Sequence, residues 1–127
     1  MIVAGIGCGR GVRSEDIVRL IGTALASFGI ARENLDAVAT EASKAGEGGI
    51  ASAVRSLSVR IVRCSLADLD RVADKVVTRS ARVQALKGIP SIAEASALVA
   101  AGRNARLLGA RIAANRITCA IAISEGP

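Results

Sequence analysis

Two short polar segments of this 127-residue chain hold residue types that could do chemistry. The first is glycine-rich and carries a thiol and two basic side chains; its candidate residues are Gly7, Cys8, Arg10, Gly11 and Arg13. The second carries a hydroxyl, an amine and a carboxylate; its candidate residues are Thr40, Lys44 and Glu47. A lysine and a glutamate three residues apart can act as a general acid and base, or they can form an ordinary surface ion pair. The neighbouring arginines could bind an anionic group.

The glycine-rich segment does not match a dinucleotide-binding loop. Gly5, Gly7, Gly9 and Gly11 follow the spacing GxGxGxG, whereas that loop requires GxGxxG. A glycine turn before a helix can still offer backbone N–H groups to an anion, although a plain tight turn explains the glycines equally well. Cys8 lies beside the predicted helix start, where the pKa of a thiol falls, but the chain has no histidine to act as its base. We therefore interpret Cys8 as a small, partly buried side chain rather than a nucleophile.

Missing residue types exclude several classes of site. The sequence contains no histidine, tryptophan or tyrosine, and Phe28 is its single aromatic residue. These absences exclude catalytic units that need an imidazole and metal sites with histidine ligands. They also exclude nucleic-acid modules that stack bases on aromatic rings. The three cysteines, Cys8, Cys64 and Cys119, have no metal-ligand spacing. We expect free thiols in a reducing compartment, no metal site and no cofactor.

The sequence also predicts where the protein works and the charge of its partner. Met1 leads directly into a predicted strand without a basic leader, and no apolar run is long enough to cross a membrane. We expect a cytoplasmic protein with no membrane partner. The net charge is +6, and residues 76–127 carry seven basic but only two acidic side chains. This charge favours an anionic partner, either phosphates or carboxylates, unless it only keeps the surface solvated.

The hydrophobic pattern predicts strands that alternate with helices. Strands are predicted over residues 2–7, 35–39, 59–63, 105–112 and 116–123. Helices are predicted from a Ser14 N-cap to Gly29, over residues 50–57, from a Ser65 N-cap to residue 76 and, as a weaker pattern, over residues 81–86. Ser91 and Glu94 form a capping box that begins a further helix, which ends at Gly102.

These elements predict a single domain over residues 1–127 with an α/β fold. We expect a three-layer α/β/α sandwich around a mixed, mostly parallel sheet of about five strands. Because only residues 113–115 join the last two strands, these strands must form an antiparallel C-terminal hairpin. If the first two strands are parallel neighbours, the segments that follow them, residues 7–13 and 40–49, share one edge of the sheet. The two candidate segments would then form one site.

Four short motifs occur along the chain in this order: GIGCGRG at residues 5–11, TxxxKxxE at residues 40–47, GIPSIAEASAL at residues 88–98 and ITCAIA at residues 117–122. Together they resemble the CobE and CbiG C-terminal domain family of cobalamin biosynthesis. The resemblance implies a small α/β/α domain that acts at the corrin-forming stage, and it adds Glu94 to the ligand-binding residues. That family usually has two basic residues after the cysteine; here Gly9 stands in the first place and Arg10 in the second.

The resemblance implies a ligand with several carboxylates around an apolar macrocycle, namely a precorrin or corrin intermediate such as hydrogenobyrinic acid. Our first hypothesis is a carrier or accessory factor of the aerobic pathway. In it, Arg10, Arg13 and Lys44 bind carboxylates, while Thr40 and Glu47 orient Lys44 or a ring substituent.

The alternative is a precorrin lactone hydrolase that releases acetaldehyde, with Lys44 and Glu47 as its acid–base pair. Other enzymes of the pathway are expected as further partners. No residue of the chain would ligate a metal in the macrocycle, since histidine is absent. Nucleic-acid or nucleotide binding is kept only as a third hypothesis, and we expect no nucleic-acid partner.

Overall fold

A six-stranded mixed sheet lies at the centre of the computed structural model, which describes residues 1–78 and 88–125. The strands are β1 (Ile2–Cys8), β2 (Ala37–Glu41), β3 (Arg60–Cys64), β4 (Arg106–Leu107), β5 (Ile112–Ala114) and β6 (Ile117–Ile123). Their order across the sheet is β3-β2-β1-β6-β4, and β5 also pairs with β6. The predicted α/β fold with a mixed sheet is confirmed, with six strands rather than about five.

The parallel part of the sheet comprises β1, β2 and β3. β1 also pairs antiparallel with β6 along its whole length, from Ile2 opposite Ile123 to Cys8 opposite Ile117. The sheet is less parallel than expected because β4 and β5 both pair antiparallel with β6. These two short strands replace the single strand predicted over residues 105–112, since residues 108–111 interrupt it.

The C-terminal hairpin is antiparallel, as predicted, but its turn is displaced. β5 and β6 pair as far as Ala114 opposite Ile117, so the turn consists of Asn115 and Arg116 rather than residues 113–115. Both turn residues have positive φ, 54° for Asn115 and 64° for Arg116. Two consecutive positive φ angles are typical of a tight two-residue hairpin turn, whose twist matches that of the strands.

Four α-helices of the described residues cover the two faces of the sheet. They are α1 (Ser14–Ser27), α2 (Gly48–Leu57), α3 (Leu66–Arg71) and α4 (Ile92–Ala101). α1 and α2 pack on the face that includes Ile6 and Val38, whereas α3 and α4 pack on the face that includes Val3 and Ala39. The predicted three layers are therefore present, with one hydrophobic core on each side of the sheet.

Two of the three predicted serine N-caps are confirmed. Ser65 Oγ accepts a hydrogen bond from the N–H of Asp68 at 3.1 Å, and Ser91 Oγ accepts one from the N–H of Glu94 at 3.3 Å. The prediction for Ser14 is wrong. Ser14 is the first helical residue of α1, and its hydroxyl donates to the carboxylate of Glu15 instead of capping the helix.

The helix predicted from Ser65 to residue 76 is shorter than expected. α3 ends at Arg71 because Val72 leaves the helical conformation, with φ −108° and ψ 7°, and a 3-10 turn follows over Ala73–Lys75. The weaker helix predicted over residues 81–86 lies outside the described residues.

α4 packs unusually close to β1 because β1 has a glycine at the contact. A Cβ atom on Gly5 would lie 1.9 Å from the carbonyl oxygen of Ala93 and 2.7 Å from the nitrogen of Ala97. Any larger residue would have to push the helix away from the sheet. This contact brings the first turn of α4 to Gly7, where an added Cβ would lie 3.7 Å from Cβ of Ile92. α4 therefore begins near the carboxyl end of β1.

Candidate functional site

The two candidate segments meet at one edge of the sheet. β1 and β2 are adjacent and parallel, so the first loop (residues 9–13) and the second loop (residues 42–47) both follow carboxyl ends of strands at that edge. Glu47 Oε1 accepts a hydrogen bond from the N–H of Gly11 at 3.2 Å. A Cβ atom on Gly49 would lie 2.3 Å from the carbonyl oxygen of Val12, so the start of α2 is in close contact with the first loop.

The turn that carries Lys44 is held by the carboxylate of Glu41, the last residue of β2. Glu41 is buried, and its Oε2 accepts hydrogen bonds from the N–H of Ser43, at 3.0 Å, and from the hydroxyl of Ser43. These bonds cap the 3-10 turn Ala42–Lys44. The N–H of Glu47 then donates to the carbonyl of Lys44 at 2.9 Å. Lys44 and Glu47 are thus presented on one short, internally bonded segment.

Three charged residues of the site, Lys44, Glu47 and Arg116, act on the thiol of Cys8. It is half-buried, and burial is the main cause that raises the pKa of its thiol above the usual value. The positive charges of Lys44 and Arg116 oppose this rise, and the negative charge of Glu47 adds to it. The sequence interpretation of Cys8 as a partly buried side chain agrees with this environment. The lowered pKa that its place beside a helix suggested is not found.

The other two cysteines lie within the sheet and are buried. Burial raises the pKa of Cys64 to about 11 and that of Cys119 to about 12. All three cysteines are free thiols. Among residues 1–78 and 88–125, no group of three or more cysteine, aspartate or glutamate side chains could hold a metal ion.

Arg116 belongs to this edge, although the sequence did not indicate it. It stands at the hairpin turn beside Cys8, because Ile117 is the register partner of Cys8. Its carbonyl accepts a hydrogen bond from the N–H of Gly9 at 3.2 Å, and its guanidinium donates to the carbonyl of Arg10 at 3.1 Å. The available signal was the Asn-Arg pair directly before a buried strand, which marks a tight turn, but the pattern did not reveal that this turn lies next to the first loop.

The backbone N–H groups of the first loop are largely used inside the protein. The N–H of Gly9 binds Arg116 and the N–H of Gly11 binds Glu47. At the start of α1, Glu15 already supplies a carboxylate, whose pKa is lowered to about 2, chiefly by its hydrogen bond with Arg13 and then by a backbone N–H and Ser14. The loop therefore does not present these groups to a phosphate, as a nucleotide-binding loop would.

Two of the predicted ligand-binding residues have their polar atoms bound within the core. Thr40 is fully buried, and its hydroxyl donates to the carbonyl of Ile6 at 2.8 Å, which ties β2 to β1. Glu94 is also fully buried, and its carboxylate accepts hydrogen bonds from the N–H groups of Val77, Thr78 and Arg111. In both residues the polar atoms are bound within the protein, and ligand binding by Thr40 and Glu94 stays a prediction.

The remaining predicted residues differ in how free their side chains are. Arg13 pairs with Glu15 at 2.7 Å and is exposed. Gly7 leaves room for Thr118, whose hydroxyl would lie 2.7 Å from an added Cβ and donates to the Gly7 carbonyl. Arg10 is exposed. None of the ion pairs within residues 1–78 and 88–125 includes Arg10, Lys44 or Arg116. These three cations are therefore the candidate anion-binding groups of this edge.

A shallow cavity of about 360 Å³ lies elsewhere on the surface, between α1 and α2. Its lining residues are Ser14, Glu15, Val18, Arg19, Arg32 and Ser56, none of which is a predicted site residue. No helix within the described part of the chain is long and apolar enough to cross a membrane.

Comparisons with known proteins agree with each other. A family model described as cobalamin synthesis G C-terminus matches residues 2–122. Protein CobE from Sinorhizobium sp is 34% identical over 121 residues, which make up 95% of this chain and 79% of that protein.

Two crystal structures give the same picture. That of CobE, a protein from the cobalamin (vitamin B12) biosynthetic pathway, superimposes with a TM-score of 0.91 at 32% identity, covering 96% of this chain and 89% of that one. That of cobalamin biosynthesis protein chiG from Agrobacterium tumefaciens str. C58 superimposes with a TM-score of 0.74 at 32% identity, covering 98% of this chain and 99% of that one.

Proposed function

The chain belongs to the cobalamin synthesis G C-terminus family of cobalamin biosynthesis proteins, and from this premise we propose that it binds a carboxylate-rich precorrin or corrin intermediate as a carrier or accessory factor. The ligand class is that of hydrogenobyrinic acid, which carries several acetate and propionate groups. The proposed binding edge consists of the first loop, the second loop and the start of α2.

The observation that supports this proposal is the convergence of the two loops. The bond from Gly11 to Glu47 and the contact of Gly49 with Val12 hold Arg10 and Lys44 at one edge of the sheet. Neither cation belongs to an ion pair among the described residues. Cationic side chains without a protein partner form strong, charge-assisted hydrogen bonds with ligand carboxylates. A polycarboxylate therefore suits this edge better than a neutral ligand does.

A hydrolase is the second candidate, because Lys44 and Glu47 lie on one segment next to a half-buried thiol. In that reaction Glu47 would take a proton from water as it attacks a lactone carbonyl, and Lys44 would stabilise the negative oxygen that forms. The lactone C–O bond would then break and the leaving oxygen would take up a proton to give an alcohol. Loss of that hydroxyl proton with cleavage of the neighbouring C–C bond would release acetaldehyde, and the electron pair of that bond would pass into the conjugated macrocycle. Such a reaction yields a ring-opened acid that a carrier would not produce.

Spectroscopic titration separates the two functions. Hydrogenobyrinic acid is added to the purified protein and its absorbance is followed; a stoichiometric spectral change without product supports the carrier. Lys44→Ala should weaken binding at least tenfold, since a charge-assisted hydrogen bond contributes about 1.5–3 kcal/mol. Lys75→Ala, which removes an exposed lysine from a 3-10 turn after α3, is the matched control.

A parallel incubation with a lactone-bearing precorrin tests for released acetaldehyde. Release that requires Lys44 and Glu47 would establish the hydrolase and overturn the carrier. Absence of any spectral change with hydrogenobyrinic acid and early precorrins would overturn the proposed ligand class.

A further inference from the structure

We infer that Arg116, at the turn of the C-terminal hairpin, is a third anion-binding residue of the proposed site and selects ligands with at least two separated carboxylates. This inference rests on the proposed function. It assigns a role to a residue outside both candidate segments, which reaches the edge only because β6 pairs with β1.

The hairpin places Arg116 against the first loop in a defined way. β6 starts directly after the turn, and Ile117 pairs with Cys8 at the end of β1. Arg116 itself has φ 64°, a conformation that side chains other than glycine, asparagine and aspartate seldom adopt. The turn conformation directs the chain so that Arg116 contacts Gly9 and Arg10.

Two hydrogen bonds in opposite directions join the turn to the loop. The N–H of Gly9 donates to the carbonyl of Arg116, and Nη2 of Arg116 donates to the carbonyl of Arg10. A guanidinium carries five N–H donors, and this contact uses one of them. Arg116 is exposed and belongs to no ion pair within residues 1–78 and 88–125. Its other donors can therefore bind a carboxylate while the first one keeps the side chain in place.

Gly9 lies close to the guanidinium of Arg116. A Cβ atom on Gly9 would lie 3.3 Å from Nη1 of Arg116, closer than ordinary van der Waals contact. A Cβ atom at position 9 would require the guanidinium to shift by a few tenths of an ångström. The guanidinium of Arg116 thus lies beside the position in the first loop that has no side chain.

Arg116 and Lys44 approach the same group from two elements. Both positive charges act on the thiol of Cys8, one from the hairpin turn and one from the second loop. A single carboxylate needs only one bidentate arginine or one lysine. Two cations on separate elements can each bind a different carboxylate, which favours a ligand with more than one acidic group.

The test compares Arg116→Ala, Arg116→Lys and Arg103→Ala in titrations with hydrogenobyrinic acid. Arg103 is an exposed arginine after the C-terminal end of α4, whereas the first turn of α4 lies near the proposed site. We expect at least a tenfold rise in Kd for Arg116→Ala, a smaller rise for Arg116→Lys and less than a twofold change for Arg103→Ala. The Kd of Arg116→Ala should also depend less on salt concentration than that of the wild type, because one ionic contact is lost.

The outcomes are distinct. If the wild type and Arg116→Ala bind with the same Kd while Lys44→Ala is weakened, the role of Arg116 is overturned and the proposed function stands. If Arg116→Ala binds hydrogenobyrinic acid more weakly but its Kd depends on salt as that of the wild type does, Arg116 only stabilises the first loop. That result would overturn its direct contact with the ligand. If the wild type shows no binding, the proposed function fails and this inference with it.

Discussion

The side chain of Glu47 accepts a hydrogen bond at 3.2 Å from the backbone N–H of Gly11, 36 residues earlier in the sequence. This contact joins the loops that follow β1 and β2. It also gives Glu47 a neighbour other than Lys44, although the sequence places these two residues at ion-pair spacing.

Replacing Glu47 by glutamine should distinguish a carrier from a hydrolase. Glutamine keeps an oxygen that can accept from Gly11, but it removes a negative charge beside the proposed polyanion. In a carrier, Glu47→Gln should bind hydrogenobyrinic acid as well as the wild type or a few-fold more tightly. In a hydrolase, the same variant should lose turnover by about 10²-fold or more, because it cannot accept a proton.

Glu47→Ala is the companion variant in this experiment. It breaks the bond to Gly11 as well, so binding should weaken even if no catalysis occurs. Equal loss of binding in both Glu47 variants would show that the charge, rather than the link between loops, matters.

The contact between α2 and the first loop should tolerate no added methyl group. In Gly49→Ala the new Cβ would lie 2.3 Å from the Val12 carbonyl, so the loops must separate. We expect a loss of about 1–3 kcal/mol in the free energy of unfolding and weaker ligand binding. Urea denaturation and the absorbance titration measure the two effects.

Gly48→Ala is the matched control for this prediction. A Cβ on Gly48 meets no atom within 4 Å, and alanine favours the helix by up to about 1 kcal/mol. This variant should be as stable as the wild type or more stable. If Gly49→Ala also behaved in this way, the close approach of the loops would be wrong.

Alkylation of Cys8 should report the charges around it. Because burial raises its pKa, the thiol is protonated at pH 7–8, and its rate of reaction with iodoacetamide should rise with pH until the pH exceeds that pKa. Lys44→Ala and Arg116→Ala each remove a charge that lowers the pKa, so both should react more slowly at pH 8. Glu47→Gln removes a charge that raises the pKa and should react faster.

Mass spectrometry assigns the label to Cys8 rather than to the buried Cys64 and Cys119. Lys75→Ala should leave the rate unchanged, since the charges that shift the pKa of Cys8 are those of Lys44, Glu47 and Arg116. Identical rates in all four variants would contradict the placement of these side chains around the thiol.

Glu94 should matter for stability rather than for direct ligand contact. Its two carboxylate oxygens accept hydrogen bonds from three backbone N–H groups, at 2.6, 2.9 and 2.9 Å. Glu94→Gln would turn an amide NH₂ toward at least one of these donors, and we expect a loss of about 2 kcal/mol in the free energy of unfolding. The exposed Glu33→Gln serves as control and should be neutral. A stable Glu94→Gln protein that fails to bind ligand would support the predicted binding role of Glu94 instead.

Local sequence patterns predicted helix starts correctly where a side chain forms a hydrogen bond with a residue a few positions away. Ser65 and Ser91 bind an N–H three residues ahead, which spacing alone reveals. The convergence of the two loops could also be predicted, because parallel neighbouring strands end at the same edge.

Long-range partners could not be predicted in this way. Glu94 has the right spacing for a capping box, yet its carboxylate binds residues 17 positions away on both sides. The sequence does not show that Arg116 lies beside the first loop, because this depends on the pairing of β6 with β1. The hydroxyl of Thr40 was a candidate site group, but it donates a hydrogen bond to the carbonyl of Ile6 in the neighbouring strand. In each case tertiary structure supplies the partner.

The seven residue pairs between β1 and β6 have a consequence for how a ligand enters. Cys8 and the hairpin turn lie at the ends of these paired strands. They cannot move apart unless the backbone hydrogen bonds between β1 and β6 break. We therefore expect the macrocycle to bind a proposed binding edge that is already formed. Hydrogen–deuterium exchange of the β1 and β6 amides should be slow both in the free protein and in the complex.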